Sequence, residues 1–158
     1  MPIDALFLHA AARELRPRLT GSRVDKIQQP ERDVLLLSLR GPEGPGKLLI
    51  SAGSGTARMH FTTGGRENPA EPPMFCMLLR KHLAGGRITA IHQPPMERLA
   101  ELEVDITDDF GRQGRRWLVL EAMGRSSNII LLDEERRIVD CLRRVDGDLS
   151  EARLWAVV

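Results

Sequence analysis

The stretch Glu71-Pro72-Pro73-Met74-Phe75-Cys76-Met77-Leu78-Leu79-Arg80-Lys81-His82-Leu83-Ala84-Gly85-Gly86 divides the 158-residue chain into two parts of similar texture. Pro72 and Pro73 suit the first turn of a helix, where a missing N–H costs nothing. Glu71 puts negative charge ahead of that turn, and Arg80, Lys81 and His82 put cations in the last one, both matching the helix dipole. Gly85-Gly86 supplies the usual C-terminal stop. A helix over 74–83 is predicted.

On either side the dominant period is two. Upstream, Arg23 to Gln28, Val34 to Leu39, Lys47 to Ser51 and Ala57 to Thr62 read as strands. Gln29-Pro30-Glu31-Arg32-Asp33 and Gly41-Pro42-Glu43-Gly44-Pro45-Gly46 read as turns between them. Downstream, Arg87 to His92, Arg98 to Ile106, Arg115 to Met123 and Asn128 to Leu132 are further strands, with Arg137 to Leu142 a weaker one. Asp108 to Gly114 and Asp133 to Arg136 are polar hairpin loops. Thr63 to Pro73 is rich in Gly and Pro and reads as a surface loop. One more helix is expected at the start, capped by Asp4, ending near Arg16 before Pro17, with Leu8, Ala11, Ala12 and Leu15 facing the core. Two helices among eight or nine short antiparallel strands imply an α+β domain. The expected architecture is a two-sheet antiparallel β-sandwich flanked by the two main helices.

A chain of this length fits one domain and buries about two thirds of its unfolded surface, so it needs neither disulfide nor structural metal. Cys76 and Cys141 stand 65 positions apart with no Cys or His at ligand spacing, which argues against a zinc ribbon. No apolar run approaches 18 residues and no signal peptide is visible. A cytoplasmic location and no membrane association are expected. The closing run Leu154-Trp155-Ala156-Val157-Val158 reads as a piece continued in a longer protein. The formal net charge of +1 conceals an asymmetry: residues 1–100 hold 14 Lys+Arg against 9 Asp+Glu, residues 101–158 hold 9 against 13. Of the 23 cations 20 are Arg, the side chain whose planar fork fits phosphate and stacks on bases. This permits a polyanionic partner without requiring one.

The four histidines are scattered, and neither a nucleophile elbow nor a phosphate-binding lysine loop occurs. Gly53-Ser54-Gly55 is turn chemistry. Pro2 would become a secondary-amine nucleophile if Met1 were removed, but Ile3 follows it where an acid/base partner would be needed. Catalytic residues, metal ligands and cofactors are therefore expected to be none. Two polar constellations remain. Gln93-Pro94-Pro95-Met96-Glu97-Arg98 places an acid and a base at a strand start, where adjacent side chains need not pair. Met123-Gly124-Arg125-Ser126-Ser127-Asn128 joins two strands, with Gly124 suited to a positive φ and Asn128 to a backbone bond.

Together these segments resemble one family. Leu6-Phe7-Leu8-His9, Arg23 to Pro30, Glu71 to Leu83, Glu97-Arg98 and Met123 to Leu131 match in order and spacing the N-terminal domain of the NFACT family. Pro72 to His82 is the most specific part. The resemblance implies that residues 1–158 are the first lobe of a larger RqcH-like protein whose helix-hairpin-helix, coiled-coil and RNA-binding regions lie elsewhere. It implies a fold like the N-domain of the formamidopyrimidine glycosylases, without their activity. The implied function is ribosome quality control: binding tRNA and the large ribosomal subunit with its stalled peptidyl-tRNA, and recruiting alanyl-tRNA so that alanine tails are added to the nascent chain. The family's Asp-Arg pair, needed for tRNA engagement, falls on Glu97-Arg98, with Glu one methylene longer. Its Gly-Arg-His-Ser-Asn stretch falls on Gly124 to Asn128, with Ser126 in place of His. Glu97, Arg98 and Arg125 are thus the expected tRNA contacts, with Arg80, Lys81 and Asn128 as further candidates. The alternatives are a DNA-repair glycosylase-like nucleic-acid-binding domain and a fibronectin-binding surface adhesin.

Overall fold

The chain, described here from a computed structural model over residues 12–53, 57–94 and 97–143, folds as consecutive antiparallel hairpins interrupted once by a helix. Strands β1 (Arg23–Glu31), β2 (Val34–Gly41), β3 (Gly44–Ser51) and β4 (Arg58–Thr62) come first. The helix Met74–Leu83, here α2, follows and has the bounds its sequence implies. After it come β5 (Arg87–His92), β6 (Leu99–Thr107), β7 (Gln113–Glu121), β8 (Asn128–Leu132) and β9 (Ile138–Cys141). Tight turns set the first registers. Arg32-Asp33 separates β1 from β2, and Pro42-Glu43 separates β2 from β3, where Gly41 faces Gly44 and Gly44 takes φ +106°, a value glycine adopts without strain.

The first helix, α1, occupies residues 12–19 of the described chain. It does not stop near Arg16 but runs through Pro17. Pro17 has no N–H to donate, yet continuing the helix buries Leu19 completely beside Leu15 and Ala12. The hydroxyls of Thr20 and Ser22 donate to the carbonyls of Arg16 and Arg18 (2.9 and 2.8 Å), and Gly21, at φ +88°, ends the helix. Asp4, Leu8, Ala11 and Pro2, like the closing apolar run, lie outside the described residues.

The expected pair of sheets is one sheet. Among the described residues nine strands are hydrogen-bonded in the order β4-β3-β2-β1-β5-β6-β7-β8-β9, every neighbouring pair antiparallel. Two halves are joined at a narrow waist, where Arg23 faces Arg87 as the sole register pair of β1 and β5. Val24 N–H donates to Gly86 O and Ile88 N–H to Ser22 O, both at 2.8 Å. Alternation shows which face of a strand is buried; it carries no information on whether two strand edges meet, so this waist was invisible in the pattern. The halves do share one core. Val24, Ile27, Leu35, Leu37, Leu48 and Ile50 from the first half cluster with Leu102, Leu118, Leu120, Ile129 and Leu131 from the second. α2 contributes Phe75, Cys76, Leu79 and Leu83, each large side chain worth about 2 kcal/mol on burial. Smaller apolar clusters lie on the opposite faces: Val34, Leu36 and Leu49 in one half, and Leu99, Val119, Ile130 and Leu132 in the other. Every residue of β8 is therefore buried.

Candidate nucleic-acid interface

The Glu97-Arg98 turn is tied down through its main chain while both its side chains face solvent. Glu97 N–H donates to Pro94 O (3.2 Å), and Gln93 Nε2 donates to Glu97 O (2.9 Å). Arg98 O accepts from Ala122 N–H (2.8 Å), next to the register pair Leu99 and Glu121. That bond brings the start of β6 beside the end of β7, and hence beside the connection that follows. Glu97 and Arg98 are both exposed, and no ion pair joins them among the described residues.

The connection itself is a single 3-10 turn, Gly124–Ser126, with Gly124 at φ +58°, the positive value its sequence implies. Ser127 Oγ accepts from Met123 N–H (2.9 Å) and donates to Gly124 O (2.8 Å), closing the loop on itself. Arg125 stands exposed at its tip. Asn128 is a different case from the one its family position suggested. It is almost fully buried. Its Oδ1 accepts from the N–H groups of Ile129 and Arg143, and its Nδ2 donates to Arg143 O, each at 2.9 Å. With both ends of its amide committed, Asn128 supports the loop from inside and is unavailable to a ligand at the surface.

Arg143 is the residue that sequence reasoning missed. Its Nη1 donates to the carbonyls of Arg125 and Ser127 (2.8 and 2.9 Å), and its Nη2 reaches Asp33 Oδ2 (3.3 Å). One guanidinium thus clamps the 124–127 loop to the β1–β2 turn through Asp33, which is 110 positions from Arg143 in sequence, and no local pattern could announce such a bond. It also brings exposed Arg32, next to Asp33, to the same end of the molecule. Arg32, Arg98 and Arg125 are three exposed arginines on turns that are braced underneath.

Arg80 and Lys81 are not part of this assembly. Both lie in the last turn of α2 and are exposed. Arg80 Nε donates to Ile27 O (2.8 Å), fastening the helix to β1 instead of capping its own C-terminus. His82 is not the dipole-matching cation its position implied. Burial lowers its pKa, with Arg116 and Lys81 pushing the same way, and its Nδ1 takes the Arg116 Nε–H (3.4 Å), which suits a neutral ring. Cys76 is buried, and burial raises its pKa against the opposing influence of Arg80, so the thiol form is favoured. Among the described residues no group of three or more His, Cys, Asp or Glu could hold a metal. No helix among them is long and apolar enough to cross a membrane, which says nothing of strands. What the braced turns offer chemically is directional cation donors on a rigid frame, suited to phosphate oxygens and to the edges or faces of unstacked bases.

Comparison with known proteins decides the family. The model of the NFACT N-terminal and middle domains matches residues 4–156. This chain belongs to the NFACT family. It is 38% identical over 154 residues to the Rqc2 homolog RqcH of Bacillus subtilis, an alignment covering 97% of this chain and 27% of that protein. It is 34% identical over 145 residues to ribosome quality control complex subunit 2 of Saccharomyces cerevisiae, covering 90% and 13%. The chain therefore spans about a quarter or less of these relatives. Among solved structures, the N-terminal part of the fibronectin/fibrinogen-binding protein of Streptococcus suis superposes with a TM-score of 0.88 at 37% identity, covering 95% of this chain and 56% of that one. The N-terminal domain of fibronectin-binding protein PavA of Streptococcus pneumoniae gives 0.86 at 35%, covering 91% and 55%.

Proposed function

We propose that this NFACT chain is the RNA-gripping module of a ribosome quality control factor, acting in the cytoplasm as the first lobe of a longer protein. It holds tRNA, in the working complex alanyl-tRNA, against a large ribosomal subunit that carries a stalled peptidyl-tRNA, and so serves alanine tailing of the stalled chain. It makes and breaks no covalent bond itself. Arg98 and Arg125 contact phosphate or unstacked bases, Glu97 accepts from a base edge or a 2′-hydroxyl, and Arg32 adds a phosphate contact from the neighbouring turn. The likeness to the formamidopyrimidine-glycosylase N-domain belongs to the same proposal, as a scaffold without the chemistry.

The observation that carries this reading is the contrast at one end of the sheet: the main chains of the 97–98 and 124–127 turns are each held by several hydrogen bonds while the arginines on them are left to solvent. A frame fixed at this level presents donors in one geometry, which is what recognition of a folded RNA requires. The names of the relatives point the same way. With only six aromatic residues and no Tyr, stacking platforms for single strands are scarce, so arginine must supply most contacts.

The test is equilibrium binding of fluorescently labelled bulk tRNA. Arg98→Ala is expected to weaken binding about tenfold, roughly 1.4 kcal/mol, with the fold intact. Unchanged affinity in a folded variant removes Arg98 from the site. The solved neighbours described as fibronectin-binding support a second reading, a protein-binding surface. Capture on immobilised fibronectin at physiological salt, unaffected by Arg98→Ala while tRNA is not bound, would favour it.

A further inference from the structure

The waist of the sheet contains an electrostatic conflict. Arg23 and Arg87 are cross-strand partners. The flanking bonds, Ile88 N–H to Ser22 O and Val24 N–H to Gly86 O, make theirs a non-hydrogen-bonded pair, the arrangement in which opposed side chains lie closest, with Cα atoms about 4.5 Å apart. Like charges directly opposite one another destabilise a sheet, so this pair works against the joint that holds the two halves together. The row continues across β6 and β7 as Asp105 and Arg115. On its other side Arg23 faces Arg40 of β2, which pairs with Asp25 (3.4 Å), so the row holds four guanidiniums and one carboxylate.

The neighbouring acids do not resolve the conflict. Asp105 Oδ1 accepts from Arg115 Nε (3.0 Å), and Glu103 pairs with Arg115 Nη1 (2.8 Å) and with His92 (2.7 Å). Glu134 is paired with Arg116 (3.7 Å). No ion pair among the described residues reaches Arg23 or Arg87, and both are exposed. They line an open hollow of about 670 Å³ together with Asp105, Arg115, Glu134 and Gly85. Gly85 keeps the hollow clear: it takes φ +83°, and nothing lies within 4 Å of the position a Cβ would occupy.

We infer that Arg23 and Arg87 form a second anion site, a two-guanidinium clamp for a backbone phosphate of the bound RNA, separate from the Arg98 and Arg125 turns. Two fork-shaped donors side by side can divide the oxygens of one phosphate between them, and a phosphodiester between them turns the repulsion into attraction. A destabilising pair on a surface where neutral residues would serve the fold better is the mark of a site kept for binding. The inference rests on the RNA-binding reading above and extends it to a second place on the molecule, so the bound RNA would track along the sheet from its turns to its waist.

The experiment is a salt titration of bulk-tRNA binding by this chain, comparing wild type, R23Q, R87Q, R23Q/R87Q and R98A, with thermal melting of each. The double variant is expected to bind about tenfold more weakly, and the slope of log affinity against log salt to fall by about 0.7–0.9 for each phosphate that is no longer neutralised. Its melting temperature should be unchanged or higher, because the repulsion is gone. Each single variant should show part of both effects. Unchanged affinity and slope in the folded R23Q/R87Q variant overturns the inference. So does a lower melting temperature with unchanged binding, which would make the pair structural. If R98A weakens binding while R23Q/R87Q does not, this inference alone falls; if neither does, the RNA reading falls with it.

Discussion

The turns at one end of the sheet and the waist at its middle treat arginine in opposite ways. At the turns, Arg143 is an internal fastener: its guanidinium holds two carbonyls and a carboxylate, which leaves Arg98 and Arg125 free on a fixed frame. At the waist, Arg23 and Arg87 face each other as the one register pair between the halves among the described residues. In the first region an arginine holds the backbone; in the second, four main-chain bonds hold it (Gly21 N–H to Ile88 O, Val24 N–H to Gly86 O, Gly85 N–H to Val24 O and Ile88 N–H to Ser22 O, 2.7–2.8 Å), and two like charges oppose them. The difference shows that exposed arginines stand here both on turns that another arginine braces and on a joint whose backbone bonds they oppose.

The largest expected effect comes from breaking the frame. Arg143→Ala removes three side-chain hydrogen bonds at once, and Asn128→Ala leaves the buried N–H of Ile129 without its acceptor; each should destabilise the domain by about 2–3 kcal/mol, measured as a shift of the denaturant midpoint at constant slope. Both should also weaken tRNA binding, although neither residue is proposed to touch RNA at its side chain. Next is Gly124→Ala. Its Cβ would meet nothing within 4 Å, so the penalty, about 1 kcal/mol, comes from the positive φ alone. Arg125→Ala is the counterpart on the same turn: a stability change within about 0.5 kcal/mol, with tRNA affinity reduced several-fold.

The smallest effect is a pH dependence. Burial depresses the pKa of His82 in the folded state, so the unfolded chain binds the proton more readily. The stability contributed by the neutral ring is fully present above the ordinary histidine pKa near 6.5 and is lost as pH falls through the lower folded value. His82→Gln should flatten the decline in melting temperature between about pH 7 and pH 5. An unchanged decline would show that His82 does not set it.

Much of this is legible in the sequence. The bounds of α2 follow from two prolines, a capping glycine pair and an apolar run, all local signals. The hairpins follow from alternation punctuated by Gly, Pro and Asp. The positive φ of Gly124 follows from the need to turn between two strands. What sequence does not show is non-local. The first helix continues through Pro17 because burial of Leu19 outweighs one absent hydrogen bond. The two expected sheets are one because strand edges pair by position in space, which a period of two does not encode. Asn128 carries the right residue type for a contact, yet its partners, the backbone of Arg143 and Ile129, show that its function is inside the fold. Glu97, Arg98 and Arg125 stand out as polar turn residues, and only the resemblance gives them a role; that their turns adjoin follows from the Ala122 to Arg98 bond.

The most direct test of the central claim is photo-crosslinking of tRNA to the wild-type chain followed by mass spectrometry of the attached peptides. The account predicts crosslinks in the peptides that contain Glu97-Arg98 and Gly124 to Ser127, lost at high salt and absent from an Arg98→Ala/Arg125→Ala variant. Crosslinks confined to other surfaces, such as the Thr63 to Pro73 loop or β4, and unaffected by that variant, would contradict it.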